Sequence, residues 1–215
     1  MRASSTLIAL FAALATALPA AEPEAAGPTK EAPNPHDIRI DGLKLSGSGC
    51  PQGSVAALLS ENGQVVTIGY DKYIAATGPD IAATEARKNC QVFFNLFYPQ
   101  GWSYTIATSD FRGYVDQEHT CSTTLGVTNF FSGDQQQVTG TATIRGKFHD
   151  NYIRTAAVAT GTTVHAKCGA KGPTFVSNSQ VYVKCTDKKE SAMASVDSQV
   201  AKFEIKYNVH WKKCP

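Results

Sequence analysis

The sequence has little net charge and no strong excess of either sign. It contains 20 Lys and Arg and 18 Asp and Glu, a formal charge of +2. Removal of a leader containing Arg2 takes away one positive charge, and +2 becomes +1. A chain this close to neutral has no general attraction for nucleic acid, so we predict no nucleic-acid partner. The short pairs Lys188-Lys189 and Lys212-Lys213 are interpreted as solvated charges.

Several catalytic and metal-binding motifs are also missing. The nearest two cysteines, Cys168 and Cys185, are 17 positions apart, too far for a CxxC zinc or redox motif. There is no GxSxG nucleophile elbow. The glycine-rich stretch 47–54 has neither a P-loop lysine nor a helical pattern after it, so a tight turn explains it better than a phosphate site. We therefore predict no metal and no cofactor.

The remaining polar residues do not single out a catalytic group. His149-Asp150 reads as an exposed turn before Tyr152, and His119 and His165 could bind a metal only if folding brings them together with a carboxylate. Five carboxylates could supply a glycosidase pair, but their spacing selects no two of them. They are Asp110, Asp116, Glu118, Asp134 and Asp150. We predict no catalytic residue.

The N-terminal region has the composition of a secretion signal. An apolar run from Leu7 to Leu18 follows Arg2 and contains, near its end, Ala15-Thr16-Ala17, a small-residue cleavage site. Twelve apolar residues are too few to span a bilayer, which takes about 20, and no later segment is long and apolar enough, so we predict no membrane segment. We predict a signal peptide over 1–20, a disordered Pro/Ala-rich linker over 21–36 and a single β-sandwich domain over 37–215.

The body of the chain alternates with the period of β-strands. The clearest case is the last strand, 201–212, in which Phe203, Ile205 and Tyr207 share one face. Residues 89–116 read as a central hairpin turned by Pro99-Gln100-Gly101. About ten such strands predict an all-β protein, an antiparallel β-sandwich with jelly-roll topology as one option.

The aromatic run in the central segment allows two interpretations. It could form a platform on which sugars stack, or it could belong to the core. Core packing is favoured because alternation accounts for half of the run. Its members are Phe93, Phe94, Phe97, Tyr98 and Trp102.

Six cysteines behind a leader predict three disulfides, and the residues alone leave fifteen connectivities open. The chain then resembles a known family through landmarks that occur in a fixed order. They are GSGCPQGS, RKNCQ, YPQG, FRGY, FSG, a Cys-Gly and a closing Trp-x-x-Cys. The family is domain-of-unknown-function family 4360, a group of secreted fungal proteins, and the likeness runs from Leu43 to Cys214. The resemblance implies secretion, no established activity and a shared set of four cysteines. It thereby implies the pairs Cys50–Cys90, Cys168–Cys214 and Cys121–Cys185.

These observations support a secreted, non-catalytic protein that acts outside the cell by binding a protein or a glycan. For a fungus this means an effector-like role toward a host or a role at the cell wall. The alternative is an extracellular polysaccharide-active enzyme with carboxylates in a groove of the sandwich. Two carboxyl groups about 5–10 Å apart in a cleft would favour the enzyme.

The cleavage site gives a direct prediction. Because the apolar run is short and ends beside small residues, we expect the mature N-terminus between Leu18 and Glu22. N-terminal sequencing of protein from culture medium measures it. An intact Met1, or recovery of the protein with the membrane fraction, would contradict the prediction.

Overall fold

The computed structural model describes residues 31–157, 164–168, 173–195 and 203–215. The predicted leader and most of the predicted linker lie outside these ranges. The strands of the described chain are β1 (Arg39–Ser46), β2 (Val55–Leu59), β3 (Val65–Tyr70), β4 (Ala75–Thr77), β5 (Arg87–Phe97), β6 (Trp102–Gln117), β7 (Cys121–Phe131), β8 (Gln137–Arg145), β9 (Phe148–Ala157), β10 (Phe175–Cys185), β11 (Ala192–Ser195) and β12 (Phe203–Lys213).

Two short 3-10 helices, Pro35–Asp37 and Ala83–Ala86, accompany the strands. Among the described residues, no helix has the length and apolar composition needed to cross a membrane.

The strands form two antiparallel sheets that pack against each other. One sheet has five strands in the order β1-β5-β10-β7-β8. The other has the order β2-β3-β12-β6-β11-β4, with β9 paired to the free side of β6. This architecture confirms the predicted antiparallel β-sandwich.

Aromatic side chains fill the space between the sheets. Phe94 of β5 and Phe175 of β10 lie side by side, with ring centroids 4.9 Å apart, and both rings are 6.2 Å from that of Tyr207 in the opposite sheet. All three residues are fully buried. Since side chains alternate along a strand, burying these rings turns the residues between them outward.

The prediction of a central hairpin over 89–116 is wrong. β5 and β6 lie in different sheets, and the chain crosses the sandwich through Pro99-Gln100-Gly101. Each strand carries its own apolar face, and both faces are buried when they oppose one another. Tyr98 and Tyr104 show this arrangement, with a T-shaped contact of 5.4 Å across the core.

Other strand predictions agree with the structure. The Asn-Gly turn joins β2 to β3, and β7 pairs with β8. The last strand buries Ile205, Tyr207 and Val209, as its pattern predicts. Residues 158–163, part of a further predicted strand, lie outside the described residues.

Residues 149–151 do not form the predicted turn. They belong to β9, where His149 pairs with Asp116 and Asn151 with Tyr114. β9 is an edge strand, so its polar residues remain exposed while its backbone pairs with β6. The short strand β11 was not predicted, because four residues are too few to show a period.

Three disulfides join distant parts of the chain: Cys50–Cys90, Cys121–Cys185 and Cys168–Cys214. These are the pairs implied by the family resemblance. The glycine-rich loop before Cys50 packs closely against its surroundings. A Cβ on Gly49 would lie 2.4 Å from the ring of Tyr73, and one on Gly47 would lie 2.3 Å from the carbonyl oxygen of Asn89. The glycines of this loop therefore permit close packing.

Truncation of one core ring tests the aromatic packing. We expect Phe94→Ala to lower the free energy of unfolding by about 3–5 kcal/mol, because it removes apolar contacts and leaves a cavity between the sheets. Denaturant titration of the secreted protein measures the change. A loss below about 1 kcal/mol would show that Phe94 is not a central contact.

Candidate ligand-binding face

The outward side chains of the five-stranded sheet form rows that run across its strands. The strand registers place Asn178 beside Gln91 and Thr128, and Gln180 beside Asn89 and Gly126. We call this surface the five-strand face. Its outward positions are Arg39, Asp41, Lys44, Ser46, Arg87, Asn89, Gln91, Phe93, Asn95, Phe97, Ser122, Thr124, Gly126, Thr128, Phe130, Gln137, Thr139, Thr141, Thr143, Arg145, Val176, Asn178, Gln180, Tyr182 and Lys184.

A shallow groove of ≈ 180 Å³ runs across the middle of the five-strand face. Gly126 forms part of its lining, and a Cβ at this position would lie 2.9 Å from the side-chain nitrogen of Gln180. The Gln180 side chain can therefore occupy its position because residue 126 is a glycine and has no side chain. The guanidinium of Arg87 donates a 2.8 Å hydrogen bond to the Gln180 side-chain oxygen and holds it in place.

The groove offers both hydrogen-bond donors and acceptors. Asn89 and Asn178 line it, together with the hydroxyls of Thr128 and Thr139, which lie 2.9 Å apart. An amide side chain carries two donor hydrogens and one acceptor oxygen, and a hydroxyl can donate or accept a hydrogen bond. This arrangement suits a ligand that is itself rich in hydroxyl groups.

Tyr182 places an aromatic ring beside the groove. It follows Gln180 on the same face of β10, lies in register with Arg87 of β5 and Thr124 of β7, and is 39% exposed. A partly exposed tyrosine ring combines a flat apolar surface with a hydroxyl group. The ring can therefore stack against the apolar face of a ligand in the groove.

A larger cleft of ≈ 580 Å³ lies toward β1 on the same sheet. Its lining includes Lys44, Phe93 and Asn95. The side-chain oxygen of Asn95 is buried and has no hydrogen-bond partner among the described residues. Because an unpaired buried acceptor is costly, the cleft favours a molecule that can donate a hydrogen to it.

The outward polar groups of the other sheet are largely bound to one another. Asn208 donates to Thr108 at 2.7 Å and to Asp110 at 3.0 Å, and Thr155 donates to the other Asp110 oxygen at 2.7 Å. Glu204 contacts Lys206 at 3.3 Å. The polar side chains of that face therefore serve to bind neighbouring strands of the sheet to one another.

His149 contacts Asp116 and Tyr114 on the neighbouring strand β6 and not its sequence neighbour Asp150. Its Nδ1 lies 3.1 Å from an Asp116 oxygen, and the Tyr114 hydroxyl lies 3.0 Å from its Nε2, whereas Asp150 accepts from the backbone nitrogen of Asn151. Slight desolvation, and then the charges of Asp116 and Asp150, raise the pKa of the Tyr114 phenol. The cluster is exposed to solvent and lies in none of the clefts.

The structure does not bring the candidate carboxylates together in a cleft. Glu118 accepts from the backbone of Ser191 at 2.6 Å, and Asp134 accepts from the backbone of Gln136 at 3.0 Å. Neither cleft of the five-strand face is lined by a described carboxylate. A third cleft, of ≈ 320 Å³, has a single one, Glu31. Among the described residues, no three His, Cys, Asp or Glu side chains lie close enough together to hold a metal ion. His119 and His165 are both within the described ranges, and neither belongs to such a group.

The aromatic run divides between the core and the surface. Phe94 and Tyr98 are fully buried, whereas Phe93 and Phe97 point outward and are half-buried. Trp102 is half-buried beside the core. The outward pair lies at one end of the five-strand face, where the Arg39 guanidinium is 3.7 Å from the centre of the Phe97 ring.

The residues of the groove were not predicted from the sequence. Their signal was present in 178–184, where Asn178, Gln180, Tyr182 and Lys184 alternate with small or apolar residues. The landmark RKNCQ shows the same alternation, with Arg87, Asn89 and Gln91 outward. No motif joins the two segments, because only the sheet register brings them together.

Fold, disulfides and relatives define a class of secreted β-sandwich proteins. More particularly, the chain belongs to the family described as "Domain of unknown function (DUF4360)", which it matches over residues 36–214. It is 35% identical over 183 residues to an "Uncharacterized secreted protein" of Arthroderma benhamiae, covering 85% of this chain and 74% of that protein. These matches establish the family and the secreted location.

Two solved carbohydrate-binding modules show a weak structural likeness. TmCBM61 in complex with β-1,4-galactotriose has a TM-score of 0.21 and 7% identity, over 80% of this chain and 88% of that one. The family 11 module from Clostridium thermocellum, in complex with a mixed-linked tetrasaccharide, has a TM-score of 0.23 and 7% identity, over 79% and 88%. Scores this low establish no shared topology, so those sugars indicate no ligand for this chain.

The exposed cluster on β9 gives a stability prediction. We expect the double variant His149→Ala, Asp150→Ala to lose less than about 1 kcal/mol of unfolding free energy, because exposed polar contacts contribute little. Thermal melts of variant and wild type measure it. A loss comparable to that of Phe94→Ala would show that the cluster holds β9 on the sheet.

Proposed function

We propose that the protein is an extracellular, non-catalytic glycan-binding protein, and that a polysaccharide chain binds across the five-strand face. The observation that carries this proposal is the groove over Gly126, lined by side-chain amides and hydroxyls and flanked by Tyr182. A sugar chain offers hydroxyls that donate to and accept from these groups, and an apolar ring face for the tyrosine.

The composition of the groove favours a sugar chain over a folded protein. Protein interfaces are organised around buried aromatic or aliphatic anchors, and the middle of this face has none. The central positions are Gly126, Thr128, Asn178 and Gln180. Many hydrogen bonds along an extended ligand, with one aromatic contact, match this surface.

The same face supports binding rather than hydrolysis. Glycosidases place two carboxyl groups on either side of the bond that they cleave. The described residues that line the groove include no carboxylate. Their polar side chains are amides, hydroxyls and the guanidinium of Arg87. These groups hold a sugar chain but cannot act as the acid and nucleophile of glycoside hydrolysis.

A pair of tyrosine variants tests the face. We expect Tyr182→Ala to weaken binding to an immobilised polysaccharide about tenfold, about 1.4 kcal/mol, because the stacking surface is lost. The matched control is Tyr114→Ala, which removes a tyrosine from the outward face of the other sheet. A panel of neutral and uronate-containing polysaccharides provides the probes, and titration calorimetry measures affinity.

Three further outcomes decide the proposal. The His149→Ala, Asp150→Ala variant should bind as the wild type does, because its cluster lies on the other sheet. Failure of the folded wild-type protein to bind any polysaccharide of the panel would overturn glycan binding. Equal losses in Tyr182→Ala and Tyr114→Ala would overturn the assignment to this face.

A further inference from the structure

The charges of the protein are distributed unevenly between its two outward faces. At the outward positions of the five-strand face there are five basic residues and one acidic residue, Asp41, which is exposed in the bulge of β1. All five basic residues are exposed. They are Arg39, Lys44, Arg87, Arg145 and Lys184. The outward face of the other sheet mixes both signs, with Glu204 beside Arg112 and Asp110 beside Lys206.

The basic residues are not neutralised within the protein. Arg87 bonds to the neutral Gln180 and Arg39 lies over the Phe97 ring, and none of the five forms an ion pair with a described residue. Carboxylates in adjoining loops are engaged elsewhere, with Glu85 bound to Lys88 at 2.8 Å and Glu190 to the Thr120 backbone at 2.7 Å. The face therefore carries a positive potential that the net charge of +2 conceals.

We infer that the ligand of the five-strand face is an anionic polysaccharide whose charge is carried by carboxylates, that is, a polyuronate. This inference rests on the proposed glycan-binding function and specifies its substrate class. The cations lie at both ends of the neutral amide rows, with Lys44 toward one end and Arg145 and Lys184 toward the other. By strand geometry these ends are about 25 Å apart, so one extended chain can contact both.

Carboxylates fit this face better than sulfates do. The amide and hydroxyl rows between the cations need free hydroxyls on the ligand. A uronate carries its charge on an oxidised ring substituent and keeps its ring hydroxyls, whereas each sulfate ester replaces a hydroxyl. The planar guanidinium of Arg87, beside Tyr182, matches a carboxylate through two parallel hydrogen bonds.

The test compares two ligands with the same sugar backbone, one with free carboxylates and one with methyl esters in their place. Polygalacturonate and its highly methyl-esterified form share one backbone, and we expect the wild-type protein to bind the charged form at least tenfold more tightly. Raising NaCl from about 0.05 to about 0.5 M should weaken that binding at least tenfold, since salt screens exposed charges. Titration calorimetry on the full secreted chain measures both.

Charge-matched variants locate the effect. Arg145→Gln with Lys184→Gln removes two charges from the five-strand face, and we expect a loss of at least fivefold for polygalacturonate but less than twofold for the esterified form. The control is Lys212→Gln with Lys213→Gln, which removes two charges from the end of β12 in the other sheet and should leave both affinities unchanged. Thermal melts establish that both variants are folded.

The alternative results separate the inference from the function on which it rests. Equal affinity for the two forms would overturn the polyuronate assignment and leave glycan binding intact. Binding to neither form or to any other polysaccharide would overturn both. Tighter binding of dextran sulfate, single-stranded DNA or anionic lipid vesicles, lost in the Arg145→Gln, Lys184→Gln variant, would assign the face to another polyanion and overturn the inference.

Discussion

Aromatic contact between the two sheets is the constraint on which the rest of the structure depends. Phe94 and Phe175 lie side by side on one sheet, and the ring of Tyr207 contacts them from the other. Because side chains alternate along a strand, fixing these rings inward also fixes which residues face outward. Asn89 and Gln91 reach the surface on the strand that buries Phe94, and Asn178 and Gln180 do so on the strand that buries Phe175. The candidate binding surface is thus a consequence of how the core is packed.

The two outward faces use polar residues differently. On the larger sheet, Asp110 is bound by Asn208 and Thr155, and Glu204 contacts Lys206, so these polar groups satisfy one another. On the five-strand face Arg87 bonds to Gln180 and Thr128 to Thr139, but none of the five basic residues forms an ion pair with a described residue, and the amides line an open groove. Polar groups that are matched internally contribute to stability, whereas groups left open can be matched by a ligand. This difference supports function on one sheet rather than the other.

Periodicity along each strand predicted much of the fold, and pairing between strands set the limit of prediction. The last strand shows its buried face in its own residues, and the Asn-Gly turn between β2 and β3 determines a local pairing. Residues 89–116 show two good strands and a good turn, yet those strands face each other across the core. A short connection is compatible with either arrangement, and the choice depends on partners from β10 and β12 that are distant in sequence. The groove was missed for the same reason, since the Arg87–Gln180 contact joins residues 93 positions apart.

Covalent links reinforce the strands that present the groove. Cys90 lies between Asn89 and Gln91 on β5 and is bonded to Cys50, and Cys185 follows Lys184 on β10 and is bonded to Cys121 in the adjacent strand. A side chain on a fixed strand loses less conformational freedom when it contacts a ligand than one on a mobile loop does. A flat surface with few apolar groups buries little apolar area on binding, so the hydrophobic effect offsets little of this lost conformational freedom. The disulfides and the aromatic core therefore hold the hydrogen-bonding groups of the face in position, which favours the proposed binding of a ligand to a polar surface.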